Sequence, residues 1–464
     1  MIKAPDKIPV ASPSTLRVGD VVEIACTDLI AKTGQAVGRC DGMVVYVLGP
    51  VPGERARVRI ETVKAKYAVA ELVESLSVSP DRVEPFCPVF GACGGCQVQH
   101  LAYPAQLRWK RDLVGNALRR IGGIEGATIA ETIGMDEPRA YRNKMALVVE
   151  HRDAPAFGFY AARTHDVVPI RTCPIVLPAL DRIVGELWTA AASPDVAPAF
   201  AGARHVVARA AETTGKSVLS LTTERRSREL AAHGKTLASR LHEVVGITNS
   251  FEPPSENAVM GRKSVTVAGE SELEEEIEGL RFRVSPASFF QVNSRMVAKI
   301  FAFLAPRAAG VKSVVDLYCG AGTFALFFAK QGAHVVGIEE NPHAVREARA
   351  NATLDGVAER TVFASARVEG ILRSKAGADA LAAADVVFLD PPRKGSDEAT
   401  LATLGAARVP RIWYLSCNPA TLARDLAQLT ADGYALEMVQ PFDMFPQTGH
   451  IEALAMLRRS GAAR

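Results

Sequence analysis

Apolar and polar residues alternate in short runs between residues 16 and 79. Runs such as VVEIA, GMVVYV, RARVRIETV and YAVAELVES place every second side chain on one face, which is typical of strands buried on one side. Glycine and proline at 49–53 separate two of these runs, as a turn requires. We therefore predict a small β-barrel over 14–79, preceded by a disordered lead at 1–13. Barrels of this size often bind oligonucleotides, although a structural cap has the same pattern.

The pattern changes after Gln291, where apolar strand runs alternate with helical stretches. The predicted helices cover 296–306, 324–329, 341–354 and 420–429. The predicted strands lie at 313–317 and 334–338 and near 385–389, 411–416, 434–440 and 450–457. Such alternation predicts a parallel, doubly wound α/β sheet. Before this region, a helical stretch covers about 104–121, and residues 139–290 have mixed α and β character without a clear period.

The net charge is close to neutral, since 54 Lys and Arg oppose 51 Asp and Glu to give +3. This balance argues against a uniformly basic nucleic-acid-binding surface, so any RNA contact must come from local clustering. One cluster falls in the predicted helix and comprises Arg108, Lys110, Arg111, Arg119 and Arg120. It is either an RNA-contact surface or the solvated face of a helix.

The sequence also bears on where the protein works. No run of about 18 apolar residues predicts a membrane-spanning helix. The first residues lack the apolar segment of a signal peptide. We therefore expect a cytoplasmic protein whose thiols are reduced.

A glycine-rich turn, YCGAGT, joins the predicted strand at 313–317 to an apolar helix. Gly320 and Gly322 allow a tight turn and let a ligand approach the backbone closely. Glu339, at the end of the next strand, is placed to accept hydrogen bonds from ribose hydroxyls. The pattern fits a dinucleotide as well as S-adenosylmethionine. Asp316, four residues before the first glycine, favours the cationic methionyl group over a pyrophosphate.

Two further predicted strands end in polar residues. Asp390-Pro391-Pro392 follows one of them, and ligands of open α/β sheets bind at the carboxyl ends of strands. Asp390 is therefore placed to orient a base or the cofactor, unless the segment is only a strand-ending turn. Cys417 follows the strand near 411–416 and precedes a helix, whose dipole favours a thiolate. The alternative is an inert buried cysteine.

A thiolate at this place fits methylation of a pyrimidine carbon. Carbon 5 of uracil is a poor nucleophile, and addition of a thiolate to carbon 6 makes an enolate that can attack a methyl sulfonium. A base must then remove the carbon 5 proton so that the thiolate can leave. By the period of two, His450 and Glu452 share a face of the last strand. We take Glu452 as the base and His450 as the reserve, the alternative being two polar residues at a strand entry.

The eight cysteines suggest ligands or nucleophiles before disulfides. Cys87, Cys93 and Cys96 have the spacing of a metal site, and Cys173 is the candidate for a fourth ligand. Four thiolates can hold an iron–sulfur cluster or Zn²⁺. Zinc sites usually use two close pairs, so three near cysteines and one distant cysteine favour a [4Fe–4S] cluster, with zinc or no metal as alternatives.

Seven segments in one order resemble the RNA (uracil-5-)-methyltransferase family, most closely its 23S ribosomal RNA branch with an amino-terminal TRAM domain. They are Cys87-x5-CGGCxxQH, YRNK at 141–144, SFFQVN at 288–293, DLYCGAGTF at 316–324, DPPRKG at 390–395, SCNP at 416–419 and DMFPQTGHIE at 443–452. The resemblance covers about 16–458. It implies an OB-like TRAM barrel at 14–79 that binds RNA, a central α+β iron–sulfur domain at 80–290, and a Rossmann-like S-adenosylmethionine-dependent methyltransferase domain at 291–464. The helix near 100–125 is a candidate to pack with the catalytic domain.

The resemblance also implies roles for single residues. The family's cofactor contacts fall on Gln291, Tyr318, Thr323, Glu339 and Asp390. Its nucleophile falls on Cys417, its base on Glu452, and its cluster ligands on Cys87, Cys93, Cys96 and Cys173. Phe289 or Phe290 is a candidate to stack on a flipped uracil, with core packing as the alternative.

Together these expectations describe an enzyme that methylates carbon 5 of a uridine in an unpaired RNA loop, from which the base is flipped. We expect the substrate to be 23S ribosomal RNA. The alternatives are a transfer RNA uracil-5-methyltransferase, an amino-group RNA methyltransferase that uses Asp390-Pro391-Pro392 without Cys417, and a non-catalytic RNA-binding factor. We also expect a monomer without a membrane or an obligate protein partner.

Overall fold

The computed structural model describes residues 16–151, 154–255 and 258–461. The lead predicted at 1–13 lies outside the described residues. By its internal contacts the chain divides into two units. The first takes the residues up to Phe90 together with 96–109 and 447–449, and the second takes the rest. No helix in the described ranges is both long and apolar enough to cross a membrane.

The first unit is built on one six-stranded sheet with the order β1-β5-β6-β4-β3-β2. Its strands are β1 Val21–Ala25, β2 Asp28–Leu29, β3 Ala36–Cys40, β4 Met43–Val47, β5 Arg55–Val63 and β6 Tyr67–Ser75. Along β5, the alternate residues Ala56, Val58 and Ile60 are buried, whereas Arg55 and Arg59 are exposed. The runs read from the sequence correspond to β1, β4, β5 and β6, whereas β2 and β3 were not predicted.

The second unit begins with a seven-stranded sheet whose order is β13-β12-β11-β10-β7-β8-β9. Its strands are β7 Lys144–His151, β8 Pro155–Tyr160, β9 Val167–Pro169, β10 Ala203–Ala210, β11 Ser217–Thr223, β12 Val244–Phe251 and β13 Lys263–Gly269. Helix α1 is Tyr103–Arg120, and its residues up to 109 belong to the first unit and the rest to the second. The other helices of this region are α2 Pro178–Ala191 and α3 Arg228–Arg240, with a short 3₁₀ turn at Ala197–Phe200. Strands β10 and β11 are buried along almost their whole length, which explains why the sequence shows no alternation here.

A hairpin of β14 (Leu273–Ile277) and β15 (Leu280–Val284) leads to the catalytic half. The strands of that half are β16 Ser313–Leu317, β17 His334–Glu339, β18 Thr361–Ser365, β19 Val386–Leu389, β20 Arg411–Ser416, β21 Tyr434–Phe442 and β22 Glu452–Arg459. Its helices are α4 Ser294–Ala308, α5 Thr323–Lys330, α6 Pro342–Leu354, α7 Val368–Leu372, α8 Lys375–Ala383, α9 Glu398–Ala407 and α10 Pro419–Ala431, with a 3₁₀ turn at Ala358–Arg360.

Strands β16 to β22 form a seven-stranded sheet with the order β18-β17-β16-β19-β20-β22-β21. Strands β16 to β20 pair in parallel, which confirms the predicted α/β fold, whereas β22 runs antiparallel to both of its neighbours. Helix α1 contributes Val114 and Leu118 to the core beneath this sheet. The strand order reverses between β16 and β19, and such switch points are where open α/β sheets bind ligands.

Candidate active site

A cavity of about 540 Å³ opens at the carboxyl edge of the parallel strands. Six of the seven predicted cofactor-binding and catalytic residues line it: Gln291, Tyr318, Glu339, Asp390, Cys417 and Glu452. The seventh, Thr323, lines a smaller cavity that shares Gln291, Tyr318 and Asp390 with the larger one. The structure therefore brings together residues that lie up to 161 positions apart, between 291 and 452 in the chain.

The pairing of two strands places Cys417 beside Glu452. Strand β20 ends at Ser416, which pairs with Ala453 near the start of the antiparallel strand β22. Cys417 follows Ser416 and Glu452 precedes Ala453, so the two residues meet at the same end of the ladder. An antiparallel β22 is needed for this, because a parallel strand would bring its carboxyl end to this edge.

The local sequence fixes the backbone after Cys417. The Asn418 side chain caps helix α10, since its Oδ1 accepts a hydrogen bond from the Ala420 N–H at 3.1 Å. Pro419 occupies the first helical position, where its missing N–H costs nothing. The Ser416 Oγ accepts from the Asn418 N–H at 3.2 Å. Cys417 thus lies in a tight turn immediately before the helix.

The environment of Cys417 opposes ionisation of its thiol. Burial raises the pKa of Cys417 to about 12, and the nearby carboxylates of Glu452 and Asp390 act in the same direction. Arg393 acts against them and lowers that pKa. The helix dipole was expected to favour the thiolate, but in this cavity burial and two carboxylates outweigh it.

Glu452 is almost fully buried, and its Oε2 has no hydrogen-bond partner among the described residues. Burial, followed by the charge of Asp390, raises the pKa of Glu452 well above its usual range. His450 lines the same cavity, but burial and nearby cations lower its pKa to about 4. A carboxylate with a raised pKa is a better proton acceptor than an imidazole with a lowered one. Both side chains line the cavity, and in its ionised form Glu452 is the stronger base of the two.

The glycine-rich turn adopts backbone conformations that its sequence explains. Gly322 has a φ of +89°, and a Cβ there would lie 2.7 Å from the Leu326 Cδ1. Tyr318, which is not a glycine, also has a positive φ of 64°. Glu339 closes the turn, because its Oε2 accepts from the Gly320 N–H at 3.2 Å and its Oε1 accepts from the Asn341 N–H at 2.8 Å.

Asp316 and Asp390 make this end of the cavity suited to a cation. Among the described residues, neither oxygen of the buried Asp316 has a hydrogen-bond partner of ordinary geometry. Burial raises the pKa of Asp316 well above its usual range, and the nearby Ala325 N–H offsets this only in part. Burial raises the pKa of Asp390 to about 7, against a hydrogen bond from the Gln291 Nε2 at 3.2 Å. A positively charged ligand would relieve the unsatisfied carboxylate, as a methionyl sulfonium and ammonium can.

The two phenylalanines in SFFQVN have different environments. Phe290 is buried, packs on Phe282 at 5.2 Å between ring centroids, and lies under the Arg209 guanidinium. Phe289 is 73% exposed and lines the cavity. Core packing therefore accounts for Phe290, whereas Phe289 is available to a ligand.

Three buried side chains hold the segment that leads to Glu452. The carbonyl oxygens of 444, 445 and 446 accept hydrogen bonds from the Asn293 Nδ2, the Lys110 Nζ and the Tyr141 hydroxyl, each at 3.0 Å. Buried backbone carbonyls of an irregular segment need such partners. This role of the three side chains was not predicted from the sequence. The available signal was that Asn293 and Tyr141 lie in the quoted motifs QVN and YRNK.

The position of Lys110 is a correction to the RNA-contact surface that the basic cluster predicted. Its side chain is fully buried and pairs with the equally buried Asp443, with 2.5 Å between the Nζ and Oδ1 atoms. It therefore cannot contact RNA. Of the other members of the cluster, Arg108 pairs with Asp81 and Arg111 with Glu131, while Arg119 and Arg120 are exposed at the end of helix α1.

In the described chain, none of the four cysteines of the predicted cluster is in a disulfide, and each is partly exposed. Cys87 and Cys96 belong to the first unit, and Cys93 and Cys173 to the second. The Cys173 backbone N–H donates to the Asp181 Oδ1 at 2.6 Å. Within the described ranges, no three side chains of His, Cys, Asp or Glu gather closely enough to hold a metal ion. The iron–sulfur assignment therefore stays a prediction.

Comparison with known proteins adds to this geometry. Residues 268–460 match the family model described as tRNA (Uracil-5-)-methyltransferase, and residues 16–73 match the TRAM domain. An uncharacterized RNA methyltransferase of Halalkalibacterium halodurans is 39% identical over 450 residues, which cover 94% of this chain and 97% of that one. Another from Listeria monocytogenes is 36% identical over 455 residues, covering 96% and 99%.

A solved structure shares the fold. The tRNA (uracil-54, C5)-methyltransferase of Pyrococcus abyssi, crystallised in complex with S-adenosyl-L-homocysteine, superposes with a TM-score of 0.72 at 24% identity. The match covers 94% of this chain and all of that one. At this identity the likeness concerns the fold alone.

Proposed function

Because the chain belongs to the RNA (uracil-5-)-methyltransferase family, we propose that its cavity transfers a methyl group from S-adenosylmethionine to carbon 5 of a uridine through a covalent bond to Cys417. The observation that carries this proposal is the meeting of Cys417 and Glu452 at the paired ends of β20 and β22, in one cavity with Asp390. A nucleophile, a base and a cation-binding carboxylate are the groups that this chemistry needs.

The cofactor's place follows from the unsatisfied carboxylates. Asp316 and Asp390 would face its methionyl end, Glu339 would accept from its ribose hydroxyls, and Gln291, Tyr318 and Thr323 would complete the contacts. Glu339 has the capacity for this, because a carboxylate offers about four acceptor sites and only two are used by backbone N–H groups. When bound, S-adenosylmethionine supplies a methyl group on a positively charged sulfur.

The protein's own groups then act in order. The Cys417 Sγ adds to carbon 6 of the uracil, which makes carbon 5 nucleophilic enough to take the methyl group. Glu452 removes the proton that carbon 5 still carries, the carbon–sulfur bond breaks, and the thiolate leaves 5-methyluridine. The Glu452 Oε2 has no hydrogen-bond donor among the described residues, so once the carboxyl is ionised this oxygen can accept that proton.

The substrate in this proposal is 23S ribosomal RNA, in an unpaired loop. A cavity of about 540 Å³ has room for a single flipped nucleotide beside the cofactor but not for a helix. The exposed Phe289 on its wall supports stacking on that base. The TRAM domain and the cysteine motif, by resemblance, favour ribosomal RNA over transfer RNA. A cytoplasmic monomer belongs to the same proposal.

Mapping of 5-methyluridine in RNA from cells without this protein tests the proposal. We expect one position of 23S ribosomal RNA to lose its methyl group and to regain it with the native gene but not with Cys417→Ala. Cys40→Ser, which changes an unrelated thiol of the barrel, should restore it. Loss from transfer RNA alone would move the substrate assignment, and loss of an amino-group methylation would contradict the carbon 5 chemistry.

We also propose, from their spacing, that Cys87, Cys93, Cys96 and Cys173 hold a [4Fe–4S] cluster. Protein purified without oxygen should be brown and contain about four iron and four sulfide per chain. Cys173→Ser should lose the cluster, whereas Cys40→Ser should keep it, and a colourless preparation loaded with zinc would overturn the assignment.

A further inference from the structure

We propose that Arg393 is the cation that stabilises the Cys417 thiolate, and that Asn418 is the positioning residue that fixes Arg393 to the helix of the nucleophile. The inference rests on the proposed function only in that it treats Cys417 as the nucleophile. It concerns two residues of the DPPRKG and SCNP segments to which the chemistry above gives no role.

The charges around Cys417 come from three elements. Glu452 at the start of β22 and Asp390 after β19 are carboxylates, and His450 is kept neutral by burial. Arg393, on the loop after Asp390, lines the same cavity and opposes both carboxylates. The same guanidinium lowers the pKa of Glu452, so it acts on both groups of the proposed chemistry.

The Arg393 side chain is not used elsewhere. It is exposed at the cavity wall, and its guanidinium makes no hydrogen bond or ion pair with the described residues. The other arginine of the wall, Arg367, pairs with Glu369 at 2.6 Å. A guanidinium without a structural partner, beside a thiol that needs a positive neighbour, is the arrangement expected of an activating group.

Asn418 ties the Arg393 loop to the turn that carries the nucleophile. While its Oδ1 caps helix α10, its Nδ2 donates to the Arg393 carbonyl at 2.9 Å. The Thr421 hydroxyl donates to the same carbonyl at 3.4 Å. One amide side chain thus serves the helix and the loop together.

The rest of the loop is held by the same helix. The Arg424 Nη2 donates to the carbonyls of Lys394 and Ser396 at 3.1 and 3.2 Å. Gly395 has a φ of +77°, and a Cβ there would lie 2.6 Å from both Arg424 and Asp425. The loop therefore packs closely against helix α10, and this helix sets the position of Arg393 relative to Cys417.

Alkylation of Cys417 by iodoacetamide measures this directly, because only the thiolate reacts. The full-length enzyme is alkylated without RNA over a range of pH, and the Cys417 peptide is followed by mass spectrometry. Removal of a positive neighbour raises a thiol pKa by about one unit or more, so Arg393→Gln should slow alkylation at pH 8 about tenfold. Arg393→Lys should keep most of the rate. Arg346→Gln, an exposed arginine of helix α6 outside the cavity lining, should match the native enzyme.

Asn418→Ser tests the tether. Serine keeps a helix cap but is too short to reach the Arg393 carbonyl, so the helix should remain while the loop loosens. We expect a slowing of about threefold, between the native enzyme and Arg393→Gln. A native pH profile for this variant would remove Asn418 from the role.

Two results would overturn the role of Arg393. One is a native alkylation profile for Arg393→Gln, and the other is an equal loss in the glutamine and lysine variants, which would show that shape rather than charge matters. Thermal unfolding of each variant identifies any that fails to fold, in which case the lysine variant decides. Because alkylation needs neither RNA nor cofactor, its outcome is separate from whether uridine methylation is found.

Discussion

Two buried glutamates, one in the barrel and one in the cavity, have opposite surroundings. Glu54 is 1% exposed, and its two oxygens accept from the Arg82 Nε and Nη2 at 2.6 and 2.7 Å and from the backbone N–H groups of Val51 and Ser79. Glu452 is 4% exposed, and its Oε2 has no partner in the described chain. Arg82 and the backbone donors hold the pKa of Glu54 below its usual value despite burial, whereas burial and Asp390 raise the pKa of Glu452.

The difference separates a carboxylate that supports the fold from one that is kept for chemistry. A buried carboxylate with four donors stabilises the folded state in its ionised form. A buried carboxylate without donors destabilises the ionised form and therefore attracts a proton or a cation. Around the cavity, Asp316 likewise has no hydrogen-bond partner of ordinary geometry among the described residues, whereas Asp390 accepts one hydrogen bond from Gln291; burial raises the pKa of both, so the region suits a cationic cofactor.

The largest expected effect comes from removal of the unsatisfied carboxylate. Glu452→Gln should lower multiple-turnover methylation by a factor of about 100 or more, because proton removal from carbon 5 loses its base. The RNA–enzyme adduct should still form and should accumulate. Gel analysis of the adduct beside the rate of methyl transfer checks this, and rapid turnover without accumulation would remove Glu452 from the role.

The same change at the satisfied carboxylate should affect the fold instead. Glu54→Gln leaves Arg82 without its counter-charge, and loss of one member of a largely buried pair should lower the free energy of unfolding by about 2–3 kcal/mol. Urea unfolding measures this value. The rate of methyl transfer at saturating RNA should stay near the native one in the folded enzyme. Unchanged stability would remove the contrast between the two glutamates.

The two glutamates should change the pH dependence of the free energy of unfolding in opposite directions. Since Glu54 has a lowered pKa, its contribution to stability is present above the ordinary carboxyl pKa and is lost as pH falls through the folded value. Since Glu452 has a raised pKa, the folded state binds the extra proton, and stability declines as pH rises towards its folded value. Urea unfolding across pH checks both effects. The loss of stability at falling pH should be missing in Glu54→Gln, and the loss at rising pH should be missing in Glu452→Gln.

Cys417 should make the rate of methyl transfer depend on pH as well. Its pKa of about 12 lies above neutral pH, so the thiolate fraction should grow about tenfold per pH unit. Single-turnover methyl transfer should therefore rise between about pH 7 and 9 in the native enzyme. A flat profile in that window would show that thiolate formation does not limit the reaction.

The smallest effect should come from the segment that holds Glu452 in place. Tyr141→Phe removes one hydroxyl and leaves the buried Pro446 carbonyl without that donor, which should cost about 1–2 kcal/mol. The adduct should accumulate weakly, several-fold above native, because Glu452 is less well fixed. Tyr160→Phe, at an exposed tyrosine of β8, is the matched control. An equal stability loss without accumulation would limit Tyr141 to the fold.

Local patterns were enough to predict the catalytic sheet. The strand at 313–317 was predicted with the bounds it has, because this mostly apolar run leads directly into a glycine-rich turn. Strand β18 was not predicted, since it is a short edge strand whose Val362 is exposed. Asp390 and Cys417 were singled out because each follows the end of a strand, whereas Gln291, Tyr318 and Thr323 came from the family resemblance alone.

Other features depend on contacts that no local pattern contains. Lys110 has the appearance of a surface residue in a basic helix, yet its partner Asp443 lies 333 positions away. The raised pKa of Cys417 likewise depends on burial and on Glu452 and Asp390, which are brought near it by the antiparallel strand β22 and the parallel strand β19. The balance of charges in the cavity therefore could not be predicted from the helix that follows Cys417.

Trapping with RNA that carries 5-fluorouridine tests the central claim most directly, because fluorine at carbon 5 cannot be removed as a proton and the adduct persists. With cofactor present, the native enzyme and the Cys40→Ser control should form a denaturation-resistant complex whose bond maps to the Cys417 peptide. Cys417→Ala should form none. Methylation at the native rate by that variant, or a complex that maps to another residue, would contradict the account.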